Sequence, residues 1–177
     1  WRGENTDAFA AADALEEVIG PLRDKNVLVL GAGGAAKAVA FGVKARGACV
    51  FVANRTVKHA VALATTVGGE MIRYDELDGR QNFAAVVNTT SVGMFPHAHQ
   101  SPLKKEQMSE SSVIFDTVYN PLHTKLLVLA QEKGCKILEG ATMFIRQGIS
   151  QFELYSGVRA PRKAMERVVL AALTADL

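Results

Sequence analysis

Residues 29–38 read Val29-Leu30-Gly31-Ala32-Gly33-Gly34-Ala35-Ala36-Lys37-Ala38, and this stretch decides the fold. The run that leads into it, Val27-Leu28-Val29-Leu30, is short, continuous and apolar, as in a strand buried on both faces. Behind it, Ala35 to Arg46 has the spacing of a helix. Gly31, Gly33 and Ala36 occupy the three positions of GxGxx(G/A). The first small residue permits a tight turn, the second lets backbone approach a pyrophosphate, and the third lets the helix pack on the strand. The helix N-terminus then offers free N–H groups and a partial positive charge to phosphates. A glycine-rich turn alone can be purely structural. Between a strand and a helix it points to dinucleotide binding, with Gly31, Ala32, Gly33, Gly34 and Ala35 as the contacting residues.

Working outward, apolar runs alternate with helical patterns. Thr6 to Val18 predicts a helix before the first strand. Cys49 to Ala53 predicts a second strand and Val57 to Val67 a second crossover helix. Met71 to Tyr74 predicts a short third strand, Ala84 to Asn88 a fourth and Val113 to Asp116 a fifth. Leu122 to Lys133 reads as helix, Lys136 to Leu138 as a last strand, and the chain from Thr142 onward as helix broken near Gly157 to Pro161. Gly20-Pro21 is the clearest break before the sheet, and 95–102 the longest irregular stretch. Such alternation predicts an α/β fold of three α/β/α layers, a Rossmann-type doubly wound parallel sheet with right-handed crossovers.

Composition narrows the setting. The 177 residues are 49% apolar and 21% charged, which excludes a disordered chain. Twenty Lys and Arg stand against 18 Asp and Glu, interspersed, so the basic footprint expected of a nucleic-acid binder is missing. No apolar run approaches the roughly 18 residues of a membrane span. Cys49 and Cys135 each border an apolar run and read as reduced core thiols, and with no CxxC and four His no metal site is expected.

The end of the second strand speaks to the choice of dinucleotide. NAD-binding domains carry an Asp or Glu here for the ribose 2′-OH. This chain reads Ala53-Asn54-Arg55-Thr56. A carboxylate would repel a 2′-phosphate, whereas Arg55 can hold one with paired charge-assisted hydrogen bonds. Lys58 is the expected second cation and Thr56 the expected hydroxyl donor. The cofactor implied is NADP.

These residues, with four further segments, resemble shikimate dehydrogenases. Gly3-Glu4-Asn5-Thr6-Asp7 is similar to that family's GxNTD motif, and Gly31 to Ala35 with Asn54-Arg55-Thr56 to its NADP turn and adenosine-phosphate motif. Asn88-Thr89-Thr90-Ser91-Val92-Gly93-Met94 resembles its N(A/T)TSxGM segment. Asp116 to Thr124 resembles its DxVYxPxxT segment, and Gly140, Met143 and Gln147 fit its GxxMFxxQ pattern. The segments also resemble the shikimate dehydrogenase half of bifunctional dehydroquinate dehydratase–shikimate dehydrogenases. The resemblance implies reduction of 3-dehydroshikimate to shikimate with NADPH. By that resemblance Asp7 is the carboxylate of an Asp–Lys pair at the reacting hydroxyl, and Tyr119 and Gln147 hold the substrate. Thr117 and Gly140 line the nicotinamide pocket, and Thr90, Ser91 and Met94 lie beside it.

The chain departs from the family in one respect: a preceding substrate domain, with its Ser pair, Asn and catalytic Lys, does not precede Trp1. The expected division is therefore a hinge helix carrying the GxNTD motif (1–20), the NADP-binding domain (21–157) and a C-terminal helix (158–177). A chain that starts at Trp1 without Met reads as cut or processed upstream. The expected setting is the cytoplasm, or a plastid for a plant-type bifunctional enzyme. Quinate dehydrogenase of the same family and a non-catalytic NADP-binding module are the alternatives. Asn5, Thr6 and Asp7 can equally serve as a helix cap.

Overall fold

The computed structural model describes residues 3–78 and 82–174. Trp1 and the last three residues of the expected C-terminal helix lie outside this range. The described chain runs α1 (Thr6–Ile19), β1 (Asn26–Leu30), α2 (Gly34–Ala45), β2 (Cys49–Ala53), α3 (Val57–Val67), β3 (Glu70–Met71), β4 (Ala85–Asn88), β5 (Val113–Asp116), α4 (Lys125–Lys133), β6 (Lys136–Leu138), α5 (Gly140–Ser156) and α6 (Arg162–Thr174). Six parallel strands lie in the order β3-β2-β1-β4-β5-β6. This is the doubly wound order, whose direction reverses between β1 and β4.

The central strands are apolar on both faces, as the continuous runs required. Val27 and Val29 of β1, Ala85 and Val87 of β4 and Val113 and Phe115 of β5 enter one core, which α1, α2 and α3 cover. Leu28 and Leu30, Val86 and Ile114 enter the other. That second layer is thinner than a helix-for-helix reading predicts. Among the described residues only α4 is an α-helix there, joined by Leu77, Leu103 and Met108 from irregular segments. Between β4 and β5 the chain carries Gly93, Pro96 and Pro102 and forms a single 3-10 turn at Lys105–Gln107 instead of a crossover helix. Proline removes the N–H and the φ freedom that a helix interior needs.

Boundaries shift where caps and packing overrule pattern. β3 is only Glu70–Met71, and Tyr74 opens a 3-10 turn instead of ending a strand. α4 starts at Lys125, because the Thr124 hydroxyl accepts from Leu127 N–H at 3.4 Å and caps the helix there. α5 starts two residues early, at Gly140. Cys135 is buried, but Cys49, the first residue of β2, is exposed and is not a core thiol. Both cysteines are free.

α1 is anchored at its start by Asn5, whose side-chain oxygen accepts from Asp7 N–H at 3.1 Å and Ala8 N–H at 3.2 Å. It packs on α2 and α5. Arg46 beyond α2 pairs with Asp13 and Glu16 of α1, and Arg146 of α5 pairs with Glu17. α6 packs on α5.

Candidate functional site

Parallel strands end together, so the loops after β1, β2, β4 and β5 gather along one edge of the sheet. The first of these is the glycine turn. Gly31 has φ +115°, and a Cβ built there would sit 2.6 Å from the Thr89 hydroxyl in the loop after β4. Only glycine lets the two loops close around the switch point. Beyond the turn, a Cβ at Gly33 or Gly34 would meet nothing within 4 Å. Gly33 is the N-cap of α2 and offers no side-chain cap of its own. The start of α2 is thus uncapped and exposed at Gly33 and Gly34, the condition under which first-turn N–H groups can take a phosphate.

A groove of about 900 Å³ runs from the end of β2 to the loop after β4. Asn54, Arg55 and Thr56 line one wall, and Thr90, Ser91 and Val92 another. Asn54 donates from its amide to the Thr56 carbonyl at 3.0 Å, which shapes the turn into α3. His59 and Arg73 also line this groove, and neither was singled out from sequence. Lys58, the expected second cation, is exposed on α3 outside the groove lining. Val57 and His59, in the first turn of α3, line the groove. Arg73 is held by Asp75 through two hydrogen bonds of 3.0 Å, which keeps the carboxyl of Asp75 below its ordinary value.

A second cavity, about 340 Å³, lies at the other end of the strand edge. Its wall joins Asp7 of α1 and Ala35 of α2 to Thr117 and Tyr119 of the loop after β5, and to Gly140 and Gln147 of α5. Four segments far apart in sequence thus deliver the residues that sequence reading had named. Asn5 does the capping of α1, which leaves the Asp7 carboxylate free to face the cavity. Gly140 is required by close approach: a Cβ there would lie 2.4 Å from the Val118 carbonyl oxygen and 2.6 Å from that of Thr117. A third cavity, lined by Thr89, Thr90, Ser91, Met94, Thr117 and Tyr119, lies between the first two and shares residues with both.

Sequence reasoning missed two members of the second cavity. Phe144 stacks on Tyr119, with centroids 4.7 Å apart, and sets its apolar wall. Gln151 donates to Gln147 Oε1 at 2.6 Å and to the Thr6 hydroxyl at 3.3 Å, tying α5 to the start of α1. Both lie one helical turn from Gln147, so the i−3 and i+4 spacing was the available signal.

Behind the loops sits a buried polar cluster. Asp116 Oδ1 accepts from Asn88 Nδ2 at 2.9 Å and from Val118 N–H at 3.0 Å, and Oδ2 accepts from the Thr124 hydroxyl at 2.6 Å. Burial pushes the Asp116 carboxyl up to about 6, against the lowering by those three donors.

Comparison with known proteins gives a consistent picture. The family model described as "Shikimate / quinate 5-dehydrogenase" matches residues 13–119, and that of the "Shikimate 5'-dehydrogenase C-terminal domain" matches residues 140–170. The chain is 40% identical to the NADP(+) shikimate dehydrogenase of Methanosarcina acetivorans, covering 98% of this chain and 65% of that protein. It is 38% identical to the chloroplastic bifunctional 3-dehydroquinate dehydratase/shikimate dehydrogenase of Arabidopsis thaliana, covering 91% of this chain and 29% of that one. The crystal structure of shikimate 5-dehydrogenase from Thermus thermophilus in complex with NADP(H) and shikimate superposes with a TM-score of 0.87 at 38% identity, over 97% of this chain and 64% of that one. The chain thus spans just under two thirds of the single-function relatives. By its sequence profile, its strand order and its glycine turn, the chain belongs to the shikimate/quinate 5-dehydrogenase family.

Proposed function

We propose that the chain is the NADP(H)-binding part of a shikimate dehydrogenase, which reduces 3-dehydroshikimate to shikimate in chorismate and aromatic amino-acid biosynthesis. The observation that carries this reading is the joining of Asp7, Thr117, Tyr119, Gly140 and Gln147 around one cavity beside the glycine turn. The residues present fit the cofactor: the α2 N-terminus is exposed and uncapped, and the adjoining groove holds an arginine with no acid at the end of β2. Gly31 to Ala35 would hold the pyrophosphate, and Asn54, Arg55 and Thr56 the adenosine 2′-phosphate. Thr90, Ser91, Thr117 and Gly140 would border the nicotinamide. The bound cofactor supplies the hydride.

The rest is positioning by this chain's side chains. Asp7 accepts hydrogen bonds from substrate hydroxyls and keeps a neighbouring lysine charged. Gln147, held by Gln151, presents its amide to a second hydroxyl, and Tyr119, braced by Phe144, limits water at the reacting carbon. The lysine and the carboxylate-binding groups would come from a separate substrate domain, which the open face of the cavity would meet. α1 (with the 1–20 segment) would then act as the hinge between that domain and residues 21–157, with 158–177 as a C-terminal helical addition. Arg55 without an acid at the end of β2 favours NADP, and with it shikimate over quinate. We place the protein in the cytoplasm, or in a plastid if it comes from a plant-type bifunctional enzyme; among the described residues no helix is long and apolar enough to cross a membrane.

The test is turnover of shikimate with NADP+ by the full-length enzyme. Asp7→Asn is expected to lower kcat at least a hundredfold with NADP+ binding unchanged. Unchanged turnover would reduce Asp7 to a residue of the first helical turn.

A further inference from the structure

Asn88 and Asp116 are the last residues of the adjacent strands β4 and β5, and they are direct partners in the parallel register. Both are fully buried. Neither lines any of the three cavities. Their side chains nevertheless reach every loop that does so on this half of the edge. Asn88 Oδ1 accepts from Thr90 N–H at 3.0 Å and from the Thr90 hydroxyl at 2.7 Å, while Asn88 Nδ2 donates to the Val92 carbonyl at 3.3 Å. Asp116 holds Val118 N–H and, through Thr124, the start of α4. The 2.9 Å bond between the two side chains couples these anchors. Apolar replacement of both members of a buried hydrogen-bonded pair can be nearly neutral, so the pair is not explained by stability alone. Their geometric effect is specific: one amide and one carboxylate fix the direction of the loops 89–92 and 117–118.

We propose that Asn88 and Asp116 are positioning residues that set the loops after β4 and β5 for the dinucleotide, without touching it. The inference rests on the NADP reading above. Asn88 must donate toward Asp116 and accept from Thr90 at once, which only a carboxamide does at every pH. In Asn88→Asp, a proton shared by the two carboxyls replaces the amide hydrogen, and its loss leaves two carboxylates in contact. Among the described residues no charged side chain contributes to the raised titration of Asp116. Its packed partners from β4, the loop after β5 and α4 are Asn88, Val118 and Thr124, none of them titratable.

The experiment measures the NADP+ dissociation constant of wild type and Asn88→Asp by calorimetry from pH 6 to 9. The ratio of the two constants cancels the ligand's own titration. It is expected to stay within threefold at pH 6 and to exceed tenfold at pH 9. In the ligand-free chain, amide exchange at Thr90 and Val118 of Asn88→Asp, taken as a ratio to wild type at each pH, is expected to rise over the same range. A ratio near one at every pH, in folded protein, overturns the proposal. If Asn88→Asp unfolds at high pH, Asn88→Ala decides: tenfold weaker binding at all pH supports positioning, and wild-type affinity with only a lowered unfolding midpoint overturns it. No NADP+ binding by wild type would instead defeat the NADP reading, with the exchange data still testing the loop anchors.

Discussion

Asp116 makes the stability of this fold depend on pH in an unusual direction. Its carboxyl titrates near 6 in the folded chain, against 3.8 ordinarily, because burial outweighs the three donors that face it. The folded state therefore binds the proton more tightly than the unfolded state. Below about pH 4 both states hold the proton, and the contribution of Asp116 is fully present. Between pH 4 and 6 the unfolded chain releases it first, and stability falls as pH rises. Above about pH 7 the full difference, about 3 kcal/mol, has been lost. Most carboxylates in a fold act the other way, so the effect is isolated by comparison with Asp116→Asn, which keeps the shape and does not titrate. Urea unfolding of both proteins at half-unit steps from pH 4 to 7.5 gives the assay. Wild type is expected to lose up to about 3 kcal/mol relative to Asp116→Asn across that range. Parallel curves would refute the reasoning, because they would place the Asp116 carboxyl in an environment as wet as that of the unfolded chain.

Three further outcomes follow from the geometry. Arg55→Gln is expected to weaken NADP+ binding ten- to a hundredfold, the equivalent of about 1.5–3 kcal/mol for a charge-assisted pair, while NAD+ binding stays level; calorimetry with both ligands checks it. Gly140→Ala forces a Cβ against the carbonyls of Thr117 and Val118 and is expected to cost about 1–3 kcal/mol in urea unfolding. Asn5→Ala removes the acceptor for two N–H groups of α1 and should cost about 1 kcal/mol by the same measurement, with NADP+ binding unaffected.

Much of the edge of the sheet was legible because its chemistry is local. The turn at Gly31, the acid-free end of β2 and the cap at Asn5 each lie within a few consecutive residues, and composition alone constrains them. Asp7, Tyr119 and Gln147 were legible through a family resemblance, and packing then brought them to one cavity. Other features needed three dimensions. Lys58 and His59 are neighbours in sequence at the start of α3, and only the folded chain shows that His59 lines the groove. Cys49 borders an apolar run, but its place at the first position of β2 leaves it exposed. The missing crossover helix between β4 and β5 was signalled by Pro96 and Pro102, yet the anchoring of that segment by Leu103 and Met108 was not. Asn88 and Asp116 each belong to a recognisable segment. Their partnership exists only in the register of β4 and β5, which no spacing along the chain reveals.

The central claim is that this strand edge binds NADP(H) and recognises its 2′-phosphate. Side-by-side calorimetric titration of the chain with NADP+ and NAD+ at pH 7.5 tests it most directly. Saturable one-to-one binding of NADP+, at least tenfold tighter than that of NAD+, is the expected result. Equal affinities, or binding of NAD+ alone, would contradict it.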